Sequence, residues 1–369
     1  MRNIIDLFAG AGGLSLGAAR AGFNICAAVE LDEFAIDTHI RNFPKTIHSN
    51  YDILELNGEK LLEIANLKMG ELDGLIGGPP CQGFSLIGQR RTDDTRNNLF
   101  QHFFRLVNET RPKFFLAENV PGILDGRFAD LRSKSFDVVR NNYILLDGIK
   151  VRASDYGVPT TRTRIFFIGY DPLYMDRLTP KNFEPDPGTK PVFVKSALDG
   201  LPIEIDPNWL SEANGWRPIE KKGEGKFFDC ITNHIPNGVG NPFCMERYFK
   251  HSEVSGCMGT RHSKAVEERY QSLAYGQQDK TSKSVRLDPD GFCPTLRAGT
   301  ARDKGSYQSV RPIHPFRPRV ITPREAARLQ GFPDWFVFQP TKWHSFRQIG
   351  NSVSPIVSEQ LLSVLFNKL

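Results

Sequence analysis

The sequence predicts an α/β fold, a doubly wound and mostly parallel sheet joined to a second, smaller, irregular β-rich unit. Three observations lead there. Over roughly the first 170 residues, short apolar runs alternate with segments of helical spacing. The runs are nearly continuous in Val, Ile, Leu, Phe and Ala, as strands covered on both faces must be. After Tyr170 the alternation stops and prolines recur.

Taken in order, residues 3–8 read as a buried strand and 14–21 as the helix after it. A second strand follows at 25–29, a helix at about 32–42, and a third strand just before Asp52. Further strands are expected at 74–76, 114–117 and 164–168, with helices around 99–107 and 128–139. From 171 to about 207, Pro172, Pro180, Pro185, Pro187, Pro191, Pro202 and Pro207 suit a connector. The stretch to about 318 is polar and irregular, and reads as the smaller unit, with short strands and long loops. Thr322 can cap a helix running to Leu329, with Pro323 in its first turn, and 355–365 closes the chain as another helix. There is no internal repeat.

Composition sets bounds. A chain of 369 residues with 40% hydrophobic and 24% charged residues can bury a large core and is not disordered. A net charge of +5 is a mild pointer to nucleic acid. Its distribution is stronger. Arg297, Arg302, Lys304, Arg311, Arg317, Arg319, Arg324 and Arg328 stand against Asp303 and Glu325, either as a solvated basic face or as one that meets phosphate. The six cysteines form no C-x-x-C pair, which suggests neither a zinc nor a thioredoxin-like site and fits a reducing cytosol. There is no signal-peptide layout and no apolar stretch of membrane-spanning length. A cytoplasmic protein without metal or membrane partner is expected.

Four constellations carry chemistry. Asp6 to Gly17 runs from a strand through Gly10, Gly12 and Gly13 into a helix, placing bare backbone and a helix N-terminus at the sheet's carboxyl edge. Ser15 stands where a dinucleotide fingerprint has its third glycine. Glu30 ends the second strand, where a carboxylate can take ribose hydroxyls, and Asp52 follows the third. Together these suggest a nucleoside cofactor; the glycine turn alone would equally be a tight turn. The second is Gly77-Gly78-Pro79-Pro80-Cys81-Gln82-Gly83-Phe84-Ser85, a rigid loop presenting a thiol too polar in its setting for a packing cysteine. The third is Glu118, at a strand end before Asn119-Val120-Pro121; buried against apolar neighbours it would hold a proton near neutrality, and otherwise it is a surface ion-pair member. The fourth is Arg162 and Arg164, which point the same way on extended chain and can polarise a carbonyl, hold an acid, or simply edge a strand.

The ordered set Asp-Leu-Phe-Ala-Gly, Gly-Gly-Pro-Pro-Cys-Gln, Glu-Asn-Val and Arg-x-Arg resembles the cytosine-C5 DNA methyltransferases. The segment from Thr322 to Pro333 and Gln348-Ile349-Gly350-Asn351-Ser352-Val353 complete the resemblance, which spans roughly 1–170 and 319–369. It implies a Rossmann-like methyltransferase domain over 1–190 plus 341–369 and a target-recognition domain with its hinge over 191–340. It implies an S-adenosylmethionine site lined by Phe8, Gly10, Gly12, Leu14, Glu30, Asp52, Ile53, Pro80, Leu99, Asn351 and Ser352. Cys81 would be the nucleophile and Glu118 the acid, with Arg162 and Arg164 supporting the base and the carboxyl. Double-stranded DNA would be met by Gln82, Ser85, Arg90 and Arg91, on a segment able to close over an extruded base, and by Thr295 and Arg297, since Thr295-Leu296 resembles the family's recognition pair. A bacterial restriction-modification setting is implied, with a monomeric enzyme and a cognate endonuclease acting separately. Two positions depart from the pattern: Thr160 stands where the family often has Gln, and Leu31 where an aromatic commonly follows the ribose-binding acid.

Other readings fit less well. The tRNA-acting branch of the family carries a Cys-Phe-Thr tripeptide that this chain lacks. A catalytically idle DNA-binding regulator need not keep Cys81, Glu118 and the glycine turn together. A dinucleotide oxidoreductase leaves the Pro-Cys-Gln loop unexplained. Amino-group methylation calls for an Asn/Asp-Pro-Pro-aromatic motif, which is absent.

Overall fold

The apolar runs form one sheet. In the computed structural model, which describes residues 1–80, 98–211, 215–220, 223–299 and 310–369, it has seven strands. They are β1 (Asn3–Leu7), β2 (Asn24–Val29), β3 (Ile47–Ser49), β4 (Gly74–Gly77), β5 (Phe114–Asn119), β6 (Ile144–Arg152) and β7 (Thr163–Tyr170). Their spatial order is β3-β2-β1-β4-β5-β7-β6. Strands β1 to β5 run parallel, and β7 is antiparallel to both its neighbours. The sheet is doubly wound and mostly parallel, as expected.

Period-2 alternation explains why the strands read as unbroken apolar runs. Phe114 and Leu116 of β5 enter one buried cluster, and Phe115 and Ala117 enter the other. On the first face lie α1 (Gly13–Arg20) and the C-terminal helix. The second carries α3 (Gly58–Ile64), α4 (Asn98–Thr110) and α5 (Ala129–Asp137), while α2 (Glu33–Asn42) joins β2 to β3. Strand β6 escaped the sequence reading because it is an edge strand with a register shift between Leu146 and Ile149, so its alternation is broken.

Beyond β7 the chain forms α6 (Val194–Leu198), α7 (Lys226–Thr232), α8 (Pro242–His251) and α9 (Lys264–Ser272). Strand there is limited, among the described residues, to β8 (Arg217–Pro218) paired with β9 (Glu253–Val254) and a few isolated bridges. The β-rich expectation is corrected to helix and loop. Proline lacks the ladder donor, and local caps favour helix: Asn241 Oδ1 accepts from Cys244 N at 3.1 Å, with Pro242 in the first turn. Ile231, Tyr248, Val254 and Leu296 belong to the same buried cluster as Ile4 and Phe114, so this region shares the sheet's core.

The chain returns through α10 (Pro323–Leu329), α11 (Lys342–Asn351) and α12 (Pro355–Lys368). Thr322 caps α10 in a full capping box with Glu325. Arg328, 1% exposed, binds both carboxylate oxygens of Asp334 at 2.8 and 2.7 Å and reaches the Ala197 carbonyl of α6 at 3.2 Å. Removing one partner of a buried pair strands the other charge. Arg328→Ala is therefore expected to lower the unfolding free energy by about 3–5 kcal/mol, measured by urea denaturation. A loss below about 1 kcal/mol would mean that Asp334 finds water or another donor.

Candidate active site

Parallel register puts the motif-bearing strand ends on one edge. Leu7 pairs with Val29 on one side and Gly77 on the other, and Gly77 pairs with Ala117. Strand order reverses between β1 and β4, the place where open α/β sheets bind ligands. Because β7 is antiparallel, its start meets the end of β5: Glu118 pairs with Phe166 and Asn119 with Ile165. Arg164 and Glu118, far apart in sequence, thus share the edge.

On the cofactor side, Phe8 and Gly10 take left-handed backbone at φ 57° and 58°, and Gly12 follows at 98°. That curls the chain over the edge, and Gly10 N–H donates to Glu30 Oε2 at 2.8 Å while Asp32 N–H donates to Oε1 at 2.8 Å. Glu30 is thereby aimed, and burial raises its proton affinity. A Cβ on Gly13 would lie 2.2 Å from the Val353 carbonyl oxygen, so only glycine lets 351–353 dock on the turn. Ser352, held by Gln348 O at 2.7 Å and Gln330 at 2.9 Å, and Asn351 consequently stand beside the turn although they come from the far end of the chain. Leu14 and Ile53 are buried, whereas Asp52, Pro80 and Leu99 are half-buried. A glycine cradle with an aimed carboxylate fits the ribose end of a nucleoside cofactor.

Two positioning residues belong to none of the sequence motifs. Arg105 of α4 donates to the carbonyls of Ile53 and Leu56 at 3.1 and 2.7 Å, and Glu109 accepts from Gly58 N–H at 2.7 Å. They fix the 53–58 turn and with it Asp52 and Ile53. Their i, i+4 ion pair is visible in sequence, but backbone carbonyls 49 or more positions away are not.

On the chemical side, Glu118 is buried, and of the two settings the sequence left open its neighbour is a cation, the Arg164 that the resemblance placed beside it. Arg164 Nε stands 2.6 Å from Glu118 Oε1, an ion pair without hydrogen-bond alignment. A Cβ on Gly78 would approach Glu118 Oε2 at 3.1 Å, so the Gly-Gly-Pro-Pro loop passes directly over the carboxyl. Asn119 Nδ2 donates to the Pro79 carbonyl at 3.4 Å, tying that loop to β5. Arg162, 2% exposed, reaches the carbonyls of Leu296 at 3.1 Å and Asn351 at 3.2 Å. It clasps Leu296 and the C-terminal motif at Asn351 together. Cys81, Gln82, Ser85, Arg90 and Arg91 lie outside the described residues.

Beneath the turn runs a buried polar chain. Ser15 Oγ donates to Asp6 Oδ2 at 2.6 Å, His39 Nε2 is 3.0 Å from Ser15 Oγ, and His48 Nε2 is 2.9 Å from His39 Nδ1. Burial, reinforced by Glu30, pushes the Asp6 carboxyl up to about 7 against its Ser15 bond. Burial holds His39 well below its ordinary range, helped by His48, and takes His48 down to about 4. The signs oppose. Asp6 stabilises the fold at low pH and loses that contribution as pH rises from 3.8 towards 7, whereas the histidines lose theirs as pH falls below 6.5. Asp6→Asn, which still accepts from Ser15, should leave the histidine loss unopposed. Its melting temperature should fall more steeply than wild type between about pH 7 and pH 5, and parallel profiles would assign the linkage elsewhere.

The basic segment of 297–328 is only partly available to a ligand. Arg324 is 2% exposed and bound to Ser255, Pro333 and Phe336 carbonyls, Arg319 forks onto Glu325, and Arg328 holds Asp334. Arg317 pairs with Glu204. Arg324, Arg319 and Arg328 are structural, which corrects the expectation that the whole segment faces phosphate, while the Arg317 pair is exposed. Thr295 is half-buried and Arg297 exposed.

A glycine turn, an aimed strand-end acid and a sheet reversed only at β7 define a Rossmann-like methyltransferase. Residues 2–367 match the family model described as C-5 cytosine-specific DNA methylase. The chain belongs to that family and is a DNA (cytosine-5-)-methyltransferase. It is 39% identical over 358 residues to Type II methyltransferase M.XorII of Xanthomonas oryzae pv. oryzae, covering 96% of this chain and 82% of that one. Type II methyltransferase M.DdeI of Desulfomicrobium norvegicum is 32% identical over 97% of this chain and 87% of its own. A crystal structure described provisionally as a DNA modification methyltransferase encoded within an E. coli prophage superposes with TM-score 0.90 at 54% identity, covering 100% and 99% of the two chains. The S. pombe Dnmt2 methyltransferase, at 17% identity and TM-score 0.65 over 100% and 99% of the two chains, shares the fold. Members of the family in general use S-adenosylmethionine and act on DNA. Among the described residues no helix is long and apolar enough to cross a membrane.

Proposed function

We propose that this enzyme methylates C5 of a flipped-out cytosine at a specific duplex sequence, through a covalent bond between Cys81 and C6. The observation that carries the reading is the Glu118–Arg164 pair lying under the Gly-Gly-Pro-Pro loop that leads to Cys81. When bound, S-adenosylmethionine supplies an electrophilic methyl group. Phe8, Gly10, Gly12, Leu14 and Glu30 would hold it with Asp52, Ile53, Pro80, Leu99, Asn351 and Ser352. Cytosine C5 is too weak a nucleophile to react unaided. Glu118 takes up a proton from solvent as the base enters; the Cys81 thiolate then adds to C6, Glu118 gives that proton to N3, and the C5–C6 electron pair becomes available at C5. After C5 gains the methyl group it loses its proton to a base, N3 returns its proton to Glu118, and the thiolate leaves. Arg164 orients the carboxyl throughout.

Stacked in a duplex, C6 is out of reach, so the base must be extruded at a cost of a few kcal/mol. The catalytic work is assigned to 1–190 plus 341–369 and reading of the target to 191–340, because the sheet edge is occupied by cofactor and chemistry and bases must be read by another element. Gln82, Ser85, Arg90, Arg91, Thr295 and Arg297 are the residues assigned to DNA.

Bisulfite sequencing of DNA from cells expressing the protein tests this. One sequence context should resist conversion at a single cytosine. Conversion of every cytosine, with the protein present and folded, overturns the proposal.

A further inference from the structure

Along α11, Lys342, Phe346 and Gly350 recur every four residues and so share one face. At the end nearest the active site, a Cβ on Gly350 would lie 2.6 Å from the Arg297 carbonyl carbon, so the exposed Arg297 sits on that turn. One turn back, the Arg311 guanidinium lies 4.3 Å from the centre of the Phe346 ring. A further turn back, Lys342 Nζ donates to Gly259 O and to Thr260 Oγ1, the latter at 3.4 Å. Arg261 stands beside it, its Nε donating to Asn208 Oδ1 at 3.0 Å.

These cations differ from Arg319 and Arg328, whose charges close on the carboxylates of Glu325 and Asp334. Burial lowers the proton affinity of both Arg311 and Lys342, and the positive charges of Arg311 and Arg261 lower Lys342 further. Neither has a carboxylate among the described residues to offset that burial. Half-buried cations gathered without a counter-charge are a poor way to stabilise a fold and a good way to bind an anion. Lys342 to Gly350 spans about 12 Å of helix. A DNA strand advances about 3.4 Å of duplex axis per phosphate, so a row of that length spans about three to four phosphate steps. The row ends at Asn351, whose carbonyl is held by Arg162, so it runs outward from the catalytic edge.

We propose that the cations set along α11, Arg297, Arg311, Lys342 and the adjoining Arg261, track the phosphodiester backbone of the DNA strand leaving the active site. The assignment rests on the proposed action on duplex DNA. It adds Lys342 and Arg261, which lie outside the basic stretch seen in sequence, and retains only Arg297 and Arg311 of its described members.

Duplex binding as a function of salt tests it. A variant carrying Arg261→Gln, Arg311→Gln and Lys342→Gln keeps polar side chains but loses three charges. It should bind target and non-target duplexes more weakly by the same factor, with the slope of log K against log salt reduced by about 2–3. Its S-adenosylmethionine affinity should match wild type, which certifies the fold, and the methylated sequence should not change. If the triple variant falls short in cofactor affinity, the single Lys342→Gln and Arg261→Gln variants carry the measurement, each expected to reduce the slope by about 1. An unchanged slope in a variant that binds cofactor normally overturns the phosphate track while leaving the proposed function standing. Wild-type protein that fails to bind duplex DNA at all overturns both.

Discussion

Cys81→Ser is expected to abolish methyl transfer, with turnover falling by about five orders of magnitude or more, as when other enzymes lose their nucleophile. The reason is the scarcity of alkoxide at neutral pH compared with thiolate, together with the lower intrinsic reactivity of oxygen towards C6. DNA binding should persist, since the duplex contacts assigned above lie on other residues. The complementary result concerns the wild-type enzyme. With 5-fluorocytosine at the target position it should form a complex that survives denaturing electrophoresis, because fluorine cannot leave C5 as a proton does and the thiolate stays bonded to C6. The serine variant should show no such band. Turnover of Cys81→Ser within tenfold of wild type would remove Cys81 from the chemistry.

Glu118→Gln carries the second largest effect. Glutamine keeps the shape of the side chain but has no acidic proton for N3 and no charge for Arg164, whose Nε lies 2.6 Å from the native carboxylate. The rate should fall by about 10²–10⁴. S-adenosylmethionine affinity should be nearly unchanged, because the cradle at Gly10 and Glu30 is built on β1 and β2 and the carboxyl on β5. Single-turnover kinetics and cofactor titration separate the two. Weakened cofactor binding at unchanged turnover would move Glu118 into the cofactor site.

Much of the fold was legible because its signals are local. Strands buried on both faces need no alternation, so residues 114–117 and 164–168 declared themselves by apolar content alone, and Thr322, Pro323 and Glu325 form the cap their types suggest. Strand β6 and helix α11 did not declare themselves. The first is an edge strand with a shifted register, and the second interleaves buried Phe346, Ile349 and Gly350 with half-buried Lys342 and Arg347, which blurs its apolar period. The β-rich expectation for the region after β7 failed for a related reason. Short polar segments hold too little apolar periodicity to separate strand from helix, and tertiary packing against the shared core settles the matter.

By itself the sequence determined the order of the motifs, and therefore the family, because each motif is a contiguous run whose residue types are dictated by backbone approach or by chemistry. It also determined that Glu30 and Glu118 come at the ends of strands of one parallel sheet and so belong at one edge. Only the tertiary structure decided that β7 runs backwards, which carries Arg164 to Glu118, and that Asp6 is linked through Ser15 and His39 to His48. It also decided which arginines are free to meet a ligand. Charge can be counted along a chain, but whether a guanidinium faces solvent or closes on Asp334 depends on residues brought together by folding. Burial and pairing are properties of three-dimensional neighbours, and the neighbours of Arg328, Arg311 and Lys342 are set by how α10 and α11 pack, not by the residues beside them in sequence.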